Sequence, residues 1–382
     1  MIYLDHASTT PLRPEVREAM EPFETTNFGN PSGAHRVART ARRAVDEARE
    51  TLAAVLVCEP GEVVFTSGGT EADNLAVTGA AVHAIGAGAE APLVCCSAVE
   101  HPAVREPVKW LGGVEVPVDG DGVVDIDLLH AVLEVESGRI VLVSVMCVNN
   151  ETGVIEPIEA AAALVHEVAP DALFHTDAVQ ALPWLDISIA TARADLVSVT
   201  AHKVGGPKGT GALVVRQAAR SRLAPILRGG PQERELRPGT HDVAGIVGFA
   251  KAADLATAER ESTEAATRKL SERLLGGIVE TVPGSHPAVQ DAERVAGIVN
   301  LYLEGASSEE MLLLLDDAGI CASAGSACAS GALEPSPVLL AMGKDPAEAS
   351  CHLRFSLGRE TTEAEIEETV AAVGDCVSRL RR

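Results

Sequence analysis

The chain has 382 residues, 46% of them hydrophobic and 23% charged, which is typical of a globular protein with two domains. Its formal net charge of −24 at pH 7 argues against direct binding of nucleic acid, because proteins that bind phosphate backbones usually present a basic surface. No apolar run approaches the roughly 20 residues of a membrane span, and the first residues lack the basic segment and apolar core of a signal peptide, so we expect a cytoplasmic protein that binds no membrane.

Short apolar runs alternate with longer helical patterns from about residue 62 to residue 215, which predicts an α/β domain with a mostly parallel sheet. The apolar, β-branched character of these runs suits strands that are covered on both faces. The predicted strands are residues 63–66, 93–97, 140–148, 172–177, 195–200 and 212–215. The helix after the first strand is expected to place Leu75, Thr78, Val82 and Ile85 near one face.

A long stretch rich in Glu, Arg and Ala, from about residue 247 to residue 279, predicts a helix that leads to a second domain. This domain contains an alternating strand at residues 298–303. Capping boxes are predicted at Ser307-x-x-Glu310 and at Thr362-x-x-Glu365, where two helices begin. Gly319 predicts the end of the first of these helices.

Lys203 closes the run Thr-Ala-His-Lys and is followed by a glycine-rich segment, residues 205–209. Asp177 ends the strand predicted at residues 172–177. A lysine amine can form a Schiff base with an aldehyde cofactor, and a carboxylate can keep the pyridine nitrogen of that cofactor protonated. The pair therefore predicts pyridoxal phosphate chemistry, with Gln180 bonded to the phenolic oxygen of the cofactor. A solvated pair at a strand end is the alternative for Asp177 and Gln180.

Three further segments follow predicted strands. Residues 67–71, Ser-Gly-Gly-Thr-Glu, open a helix whose free N–H groups and positive dipole end suit a phosphate, although glycine turns before helices are common. His101 begins a helix where its ring can stack on a flat cofactor and move protons; by residue type alone it would be a helix cap or a core donor. Residues 149–153, Asn-Asn-Glu-Thr-Gly, are also ordinary turn residues.

The eight cysteines include no C-x-x-C pair and are scattered along the chain, which indicates reduced thiols rather than a disulfide framework. Cys328 lies among Gly, Ser and Ala residues that predict an exposed loop and hence a reactive thiol, whereas Cys321 and Cys351 are predicted to lie in the core. Arg354 lies on an alternating strand pattern, opposite to the apolar face. Its guanidinium can hold a substrate carboxylate bidentately, with a surface ion pair as the alternative.

Together these motifs resemble the cysteine desulfurases, in the NifS/IscS-like group of the class V aminotransferase superfamily. The resemblance covers essentially the whole chain and is carried by residues 3–11, 29–32, 200–209, 237–240 and 354–359. The Ser-Ala-Gly-Ser-Ala-Cys run is similar to that of the members with a long, mobile catalytic loop. Four residues differ from those frequent in the family, and none of them removes a reacting group: Thr200, Pro238, Ala324 and Ala329.

The resemblance implies the fold of PLP-dependent transferases, similar to aspartate aminotransferase, with a large domain on a mainly parallel sheet and a smaller α+β domain. Residues 14–254 would form the large domain. Residues 1–13 together with 255–382 would form the small one, which carries the catalytic loop at about residues 322–335. The resemblance also implies a homodimer.

The implied reaction converts L-cysteine to L-alanine and leaves the sulfur as a persulfide on Cys328. Lys203 would form the Schiff base and move protons, and His101 would stack on the ring and help Cys328 to ionise. Asn150 and Arg354 would hold the substrate carboxylate. The residues implied to hold pyridoxal phosphate are Lys203, Asp177, Gln180, His101, Asn150, Gly69, Thr70, Thr200, His202 and, from the other subunit, Thr240.

Other functions remain open on this fold. A selenocysteine lyase or a cysteine lyase could dispense with Cys328, and a non-catalytic scaffold is disfavoured by the joint presence of Lys203, Asp177, His101 and Cys328. The sulfur would pass to an acceptor protein that no motif names. Iron–sulfur cluster assembly, tRNA thiolation and DNA phosphorothioation all use similar desulfurases.

Overall fold

The computed structural model describes residues 1–136, 138–325 and 335–381. The helices are α1 (Pro14–Glu24), α2 (Arg36–Leu56), α3 (Gly69–Gly86), α4 (Pro102–Trp110), α5 (Ile126–Glu136), α6 (Ile158–Val168), α7 (Ile187–Ala190), α8 (Val243–Thr281), α9 (Ser308–Asp317), α10 (Pro337–Ala341), α11 (Pro346–Ala349) and α12 (Glu363–Leu380). The strands are β1 (Ile2–Tyr3), β2 (Val63–Thr66), β3 (Leu93–Ser97), β4 (Val114–Val116), β5 (Ile140–Ser144), β6 (Leu173–Asp177), β7 (Leu196–Thr200), β8 (Gly211–Val215), β9 (Ser285–Pro287), β10 (Ile298–Leu303), β11 (Ile320–Cys321) and β12 (His352–Ser356). No helix in these ranges is both long enough and apolar enough to cross a membrane.

The first part of the chain forms a seven-stranded sheet in the order β2-β8-β7-β6-β5-β3-β4. The five strands from β7 to β4 run parallel, and β8 is antiparallel to both of its neighbours. The predicted mostly parallel α/β sheet is therefore confirmed. Because β2 is antiparallel to β8, it points the same way as β6 and β7, so the carboxyl ends of these strands lie at one edge. In such folds ligands bind at that edge.

Helices cover both faces of this sheet, as the apolar strand sequences predict. On one face, Phe174 and Val143 pack with residues of α2, α5, α6 and α8. On the other face, Leu173 and Leu142 pack with residues of α3 and α4. Alternate residues of β5 and β6 thus enter two different cores, and both cores exclude water from the strands.

The residues predicted near one face of α3 differ in how deeply they are buried. Leu75 is buried, but Ile85 is 55% exposed, and Thr78 and Val82 are only partly buried. The helix instead turns its alanines to the sheet, and the buried ones are Ala72, Ala76, Ala80 and Ala81. Small side chains let the helix lie close to the strands, whereas Ile85 falls in the last turn of the helix, which is exposed.

A second core forms around the three-stranded antiparallel sheet β12-β10-β9. The chain start joins it, because β1 pairs with β11 in parallel and places Ile2 beside Ile320. Helix α8 is 39 residues long and contributes Phe249 to the large core and Leu274 to this second core. The division at residue 254 stays a prediction.

The predicted helix ends are partly confirmed. Thr362 accepts the N–H of Glu365, and Glu365 accepts the N–H of Thr362, which completes the second capping box. Gly319, with φ of +78°, follows the end of α9 as predicted. The first capping box is wrong, because Ser307 precedes α9 but its side chain makes no capping bond.

Candidate active site

Lys203 lies just after β7, where its amine reaches the first residues of the chain. Its Nζ donates to the carbonyl of Ser8 at 2.8 Å and also to the carbonyl of Ala7. Burial, helped by the nearby charge of Arg354 and opposed by Asp177 and Asp5, lowers the pKa of Lys203 to about 8. The amine is therefore far less basic than an ordinary lysine and loses its proton at about pH 8.

Asp177 ends β6 and is buried, 5% exposed. Its Oδ1 accepts the N–H of Val179 at 2.9 Å, and no cation within the described residues forms an ion pair with it. Burial raises the pKa of Asp177, while His101 and Lys203 lower it. A buried carboxylate that still has unused hydrogen-bond acceptors and no ion-pair partner is suited to bind a cationic pyridinium ring.

His101 precedes α4, and its Nδ1 accepts the N–H of Ala103 at 3.1 Å. The helix cap that residue type alone suggested is therefore present. Burial lowers the pKa of His101, Asp177 raises it and Lys203 lowers it, so the three groups lie close enough to interact. Because Nδ1 is an acceptor here, the proton of the neutral ring is on Nε2. In this tautomer Nε2–H can donate a hydrogen bond, and the expected role of His101 in ionising Cys328 stays a prediction, because Cys328 lies outside the described residues.

A pocket of about 370 Å³ lies at the start of α3. Its lining residues are Ser8, Thr9, Ser67, Gly68, Gly69, Thr70, Glu71, Thr200, His202, Lys208 and Gly209. No side chain caps the first N–H groups of α3, and a Cβ atom at Gly69 would lie 2.9 Å from Val179. Free N–H groups, hydroxyls and the Lys208 ammonium suit a phosphate group, so the residues present fit pyridoxal phosphate. The structure thus brings Gly69, Thr70, Thr200 and His202 together as expected.

Gln180 lies beside Lys203, because both side chains donate to the carbonyl of Ala7, Gln180 at 2.8 Å. Its expected bond to the phenolic oxygen of the cofactor would use the same amide group. Asn150 lies in the turn after β5, and its carbonyl accepts a bond from Arg354 at 2.8 Å. The two residues expected to hold the substrate carboxylate are therefore adjacent.

Arg354 is buried, 2% exposed, so the surface ion pair is excluded. Its Nη2 donates to Asp5 at 2.7 Å and to Ser8 at 2.8 Å. Its Nε–H has no partner within the described residues. The guanidinium is thus fixed in place by three groups and still has a donor to offer to a carboxylate.

Thr240 is exposed and does not line the phosphate pocket of this chain. The segment before it is anchored by Glu233, which is buried and paired with Arg49 at 2.6 Å. Arg237 pairs with Glu71 at 2.8 Å, and Glu71 lies at the start of α3. The anchored segment therefore connects the phosphate pocket with the exposed Thr240, the residue expected to reach the other subunit.

Cys328 lies outside the described residues, as does most of the predicted catalytic loop. Cys321 and Cys351 were predicted to lie in the core, and this is wrong, because both are only partly buried. Cys321 belongs to the two-residue strand β11, and Cys351 precedes β12. Neither position is covered on all sides.

Comparison with known proteins agrees with this geometry. The family model of the class-V aminotransferases matches residues 2–369. The cysteine desulfurase IscS of Methanosarcina thermophila is 40% identical over all of this chain and 93% of its own length. The chain belongs to the cysteine desulfurases of the class-V aminotransferase family.

Solved structures of similar proteins cover the same length. A NifS-like protein superimposes with a TM-score of 0.90 at 31% identity, over 99% of both chains. SspA, solved in complex with cysteine, superimposes with a TM-score of 0.81 at 32% identity, over 95% of this chain and 100% of its own. The expected fold of this family, a large parallel-sheet domain with a smaller α+β part, is thus confirmed.

The first residues of the chain contribute to the site of this family member more than the motifs alone indicated. Asp5 and Ser8 hold Arg354, and the carbonyls of Ala7 and Ser8 accept from Lys203. In the sequence, this segment carries only part of the family resemblance. The one available signal was the run of polar residues after a short apolar start, which is too common to mark a site.

The low pKa of Lys203 predicts that the reactivity of its amine depends on pH in a way that can be measured without substrate. In the protein without cofactor, the rate at which trace acetic anhydride acetylates Lys203 should rise with pH and level off above a midpoint near 8, since only the neutral amine reacts. An unperturbed lysine would show a midpoint near 10.4. Peptide mass spectrometry can follow all six lysines of the chain at once. A midpoint above 10 for Lys203 would contradict the buried position described for its amine.

Proposed function

We propose that this protein is a cytoplasmic, homodimeric, pyridoxal phosphate-dependent enzyme that converts L-cysteine to L-alanine and captures the sulfur as a persulfide on Cys328. The observation that supports this most is that Asp177 and Arg354, both buried, lie close enough to the partly buried Lys203 to alter the pKa of its amine. The proposal agrees with the names of the full-length relatives and with the cysteine bound to SspA.

The cofactor would be held at three points. Gly69, Thr70, Thr200 and His202 would hold its phosphate, together with Thr240 of a second subunit. Asp177 and Gln180 would bind its ring nitrogen and phenolic oxygen, and His101 and Asn150 would contact the ring. When bound, pyridoxal phosphate supplies an electron sink for the charge left at the substrate Cα when its proton departs.

Lys203 supplies the amine that attaches the cofactor and then moves protons. Its pKa of about 8 leaves a substantial neutral fraction near pH 7.5, so the same Nζ can accept the proton of the substrate Cα and return it. Asp177 is held by the Val179 N–H and stays available as a carboxylate for a cationic partner. His101, with its proton on Nε2, would donate a hydrogen bond from that atom, and it would help Cys328 to ionise.

Arg354 and Asn150 orient the substrate by its carboxylate. Asp5, Ser8 and the Asn150 carbonyl hold the guanidinium in one position before substrate arrives, so little of its freedom remains to be lost on binding. The thiolate of Cys328 would then attack the substrate sulfur. An S–S bond forms, the Cβ–S bond breaks with its electron pair moving to carbon, and protonation of that carbon gives alanine.

An acceptor protein would take the sulfur from Cys328. The acceptor would belong to iron–sulfur cluster assembly, tRNA thiolation or DNA phosphorothioation, and binding of acceptor proteins from host extract to the persulfidated enzyme would distinguish them. A selenocysteine lyase or a cysteine lyase on the same fold is the alternative, and it would not need Cys328.

The test uses the full chain reconstituted with pyridoxal phosphate. With L-cysteine and dithiothreitol we expect alanine and sulfide in equal amounts, and L-selenocysteine should not be preferred by orders of magnitude. Pyruvate and ammonia in place of alanine would contradict the proposal, and so would protein that binds no pyridoxal phosphate. Protein treated with borohydride after reconstitution should carry the cofactor on the peptide that contains Lys203.

A further inference from the structure

Glu151 is a buried carboxyl group that the proposed reaction does not use. It lies in the turn after β5, is 4% exposed, and its Oε2 accepts the hydroxyl of Ser336 at 2.5 Å. Its own carbonyl accepts from Asn300 of β10 at 3.1 Å. The turn of the large sheet is therefore tied through Glu151 to the second sheet and to Ser336.

The carboxylate of Glu151 also lies against Gly325. This glycine has φ of +95°, and a Cβ atom at its position would collide with the carboxylate. Gly325 and Ser336 flank residues 326–334, which the structure does not describe. A single carboxylate thus contacts the chain on both sides of the segment that contains Cys328.

The side chain of Glu151 is not needed to build its own turn. Asn149 closes that turn, since its Oδ1 accepts the N–H groups of Glu151 and Thr152, both at 2.9 Å. Burial raises the pKa of Glu151, and the bond from Ser336 and the charge of Arg354 lower it. A buried carboxyl group is costly unless it is bonded, so its position beside Ser336 and Gly325 needs a reason other than the turn.

The position of Glu151 relative to the substrate residues supplies that reason. The preceding residue, Asn150, accepts from Arg354 through its carbonyl at 2.8 Å. We propose that Glu151 is a positioning residue, whose carboxylate fixes Gly325 and Ser336 beside Asn150 and Arg354 and so sets where the segment of Cys328 begins and ends. The inference rests on the proposed function, because sulfur capture by Cys328 is the step that this placement would serve.

The test compares Glu151→Ala and Glu151→Gln in the full chain loaded with pyridoxal phosphate. In Glu151→Ala the rate of persulfide formation on Cys328 should fall about 10- to 100-fold, the size of effect that a misplaced reacting group produces. The cofactor content, the visible absorption of the bound cofactor and the KM for L-cysteine should not change. Glu151→Gln should stay within about threefold of the unmodified protein, since its amide oxygen can still accept from Ser336.

A second readout is independent of activity. Ser336 Oγ accepts the N–H of Leu339 at 3.2 Å, and the Gly325 N–H donates to Ser323 at 3.2 Å. Amide hydrogen exchange at Gly325 and Leu339 should therefore be faster in Glu151→Ala than in Glu151→Gln, with or without cofactor. Equal exchange in both variants would overturn the proposal.

Ser336→Ala leaves the turn of residues 149–152 intact, so this variant tests the positioning role of Glu151 if Glu151→Ala does not fold. Ser336→Ala should slow persulfide formation without changing the KM for L-cysteine. The control Ser262→Ala, at an exposed serine of α8, should leave the rate of persulfide formation unchanged. Persulfide formation at the unmodified rate in Ser336→Ala and Glu151→Ala would overturn the inference and leave the proposed function standing. If the unmodified protein formed no persulfide, the proposed function would fail, and amide exchange would still decide the role of Glu151.

Discussion

Lys203→Ala should abolish alanine formation from L-cysteine, with a loss of at least about 10²–10⁴-fold, the range for a removed acid–base group. The variant loses both the amine that attaches the cofactor and the proton carrier at the substrate Cα. Its visible absorption should differ from that of the unmodified protein, and borohydride should fix no cofactor to the chain. Alanine release, measured by chromatography, and the absorption spectrum test both effects on one sample.

Lys251→Ala is the matched control, because Lys251 lies on α8 and its side chain is 40% exposed. This variant should keep the alanine rate and the cofactor spectrum of the unmodified protein. Alanine formation by Lys203→Ala at more than a tenth of the unmodified rate would show that another amine carries the chemistry.

Cys328→Ala should keep the cofactor spectrum and lose persulfide formation to below detection. The residues expected to bind the cofactor lie at the sheet edge and at the start of α3, and none of them is near Cys328 in sequence. We therefore expect cofactor binding to stay the same. Without a thiolate to attack the substrate sulfur, the Cβ–S bond has no acceptor for its sulfur and alanine formation should stop as well. Absorption, alanine release and peptide mass spectrometry are the measurements.

Cys58→Ala provides the control for Cys328→Ala. Burial raises the pKa of Cys58 to about 11, so this cysteine stays a thiol near neutral pH and is a poor nucleophile. Its replacement should leave persulfide formation unchanged. If Cys328→Ala still released alanine from L-cysteine with dithiothreitol present, the protein would act as a lyase and the proposed role of Cys328 would be wrong.

Most strands of the large sheet could be predicted because nearly every residue in them is apolar or β-branched. The predicted strand at 140–148 runs past the observed end of β5 at Ser144, since Val145 and Cys147 still donate to β6 but lie outside the regular ladder. Strand β4 was missed because it has only three residues and one of them, Glu115, is charged. The side of α3 that packs on the sheet could not be read from its larger residues, because small alanines form much of it.

The positions of Lys203, Asp177 and His101 followed from the same pattern, since each comes at or just after the end of a predicted strand and parallel strands end at one edge. The contacts of Arg354 with Asp5 and Ser8 could not be predicted in this way. They join residues 349 and 346 positions apart, and they depend on the pairing of β1 with β11, two strands of two residues each. So short a strand carries no periodic signal.

The most direct measurement supplies the loaded enzyme with L-cysteine that carries a heavy sulfur isotope and then analyses its peptides by mass spectrometry without reductant. We expect one heavy sulfur atom on the peptide that contains Cys328, with one alanine released for each persulfide formed. Heavy sulfur on another cysteine, or alanine released while every cysteine stays unlabelled, would contradict the transfer of sulfur to Cys328.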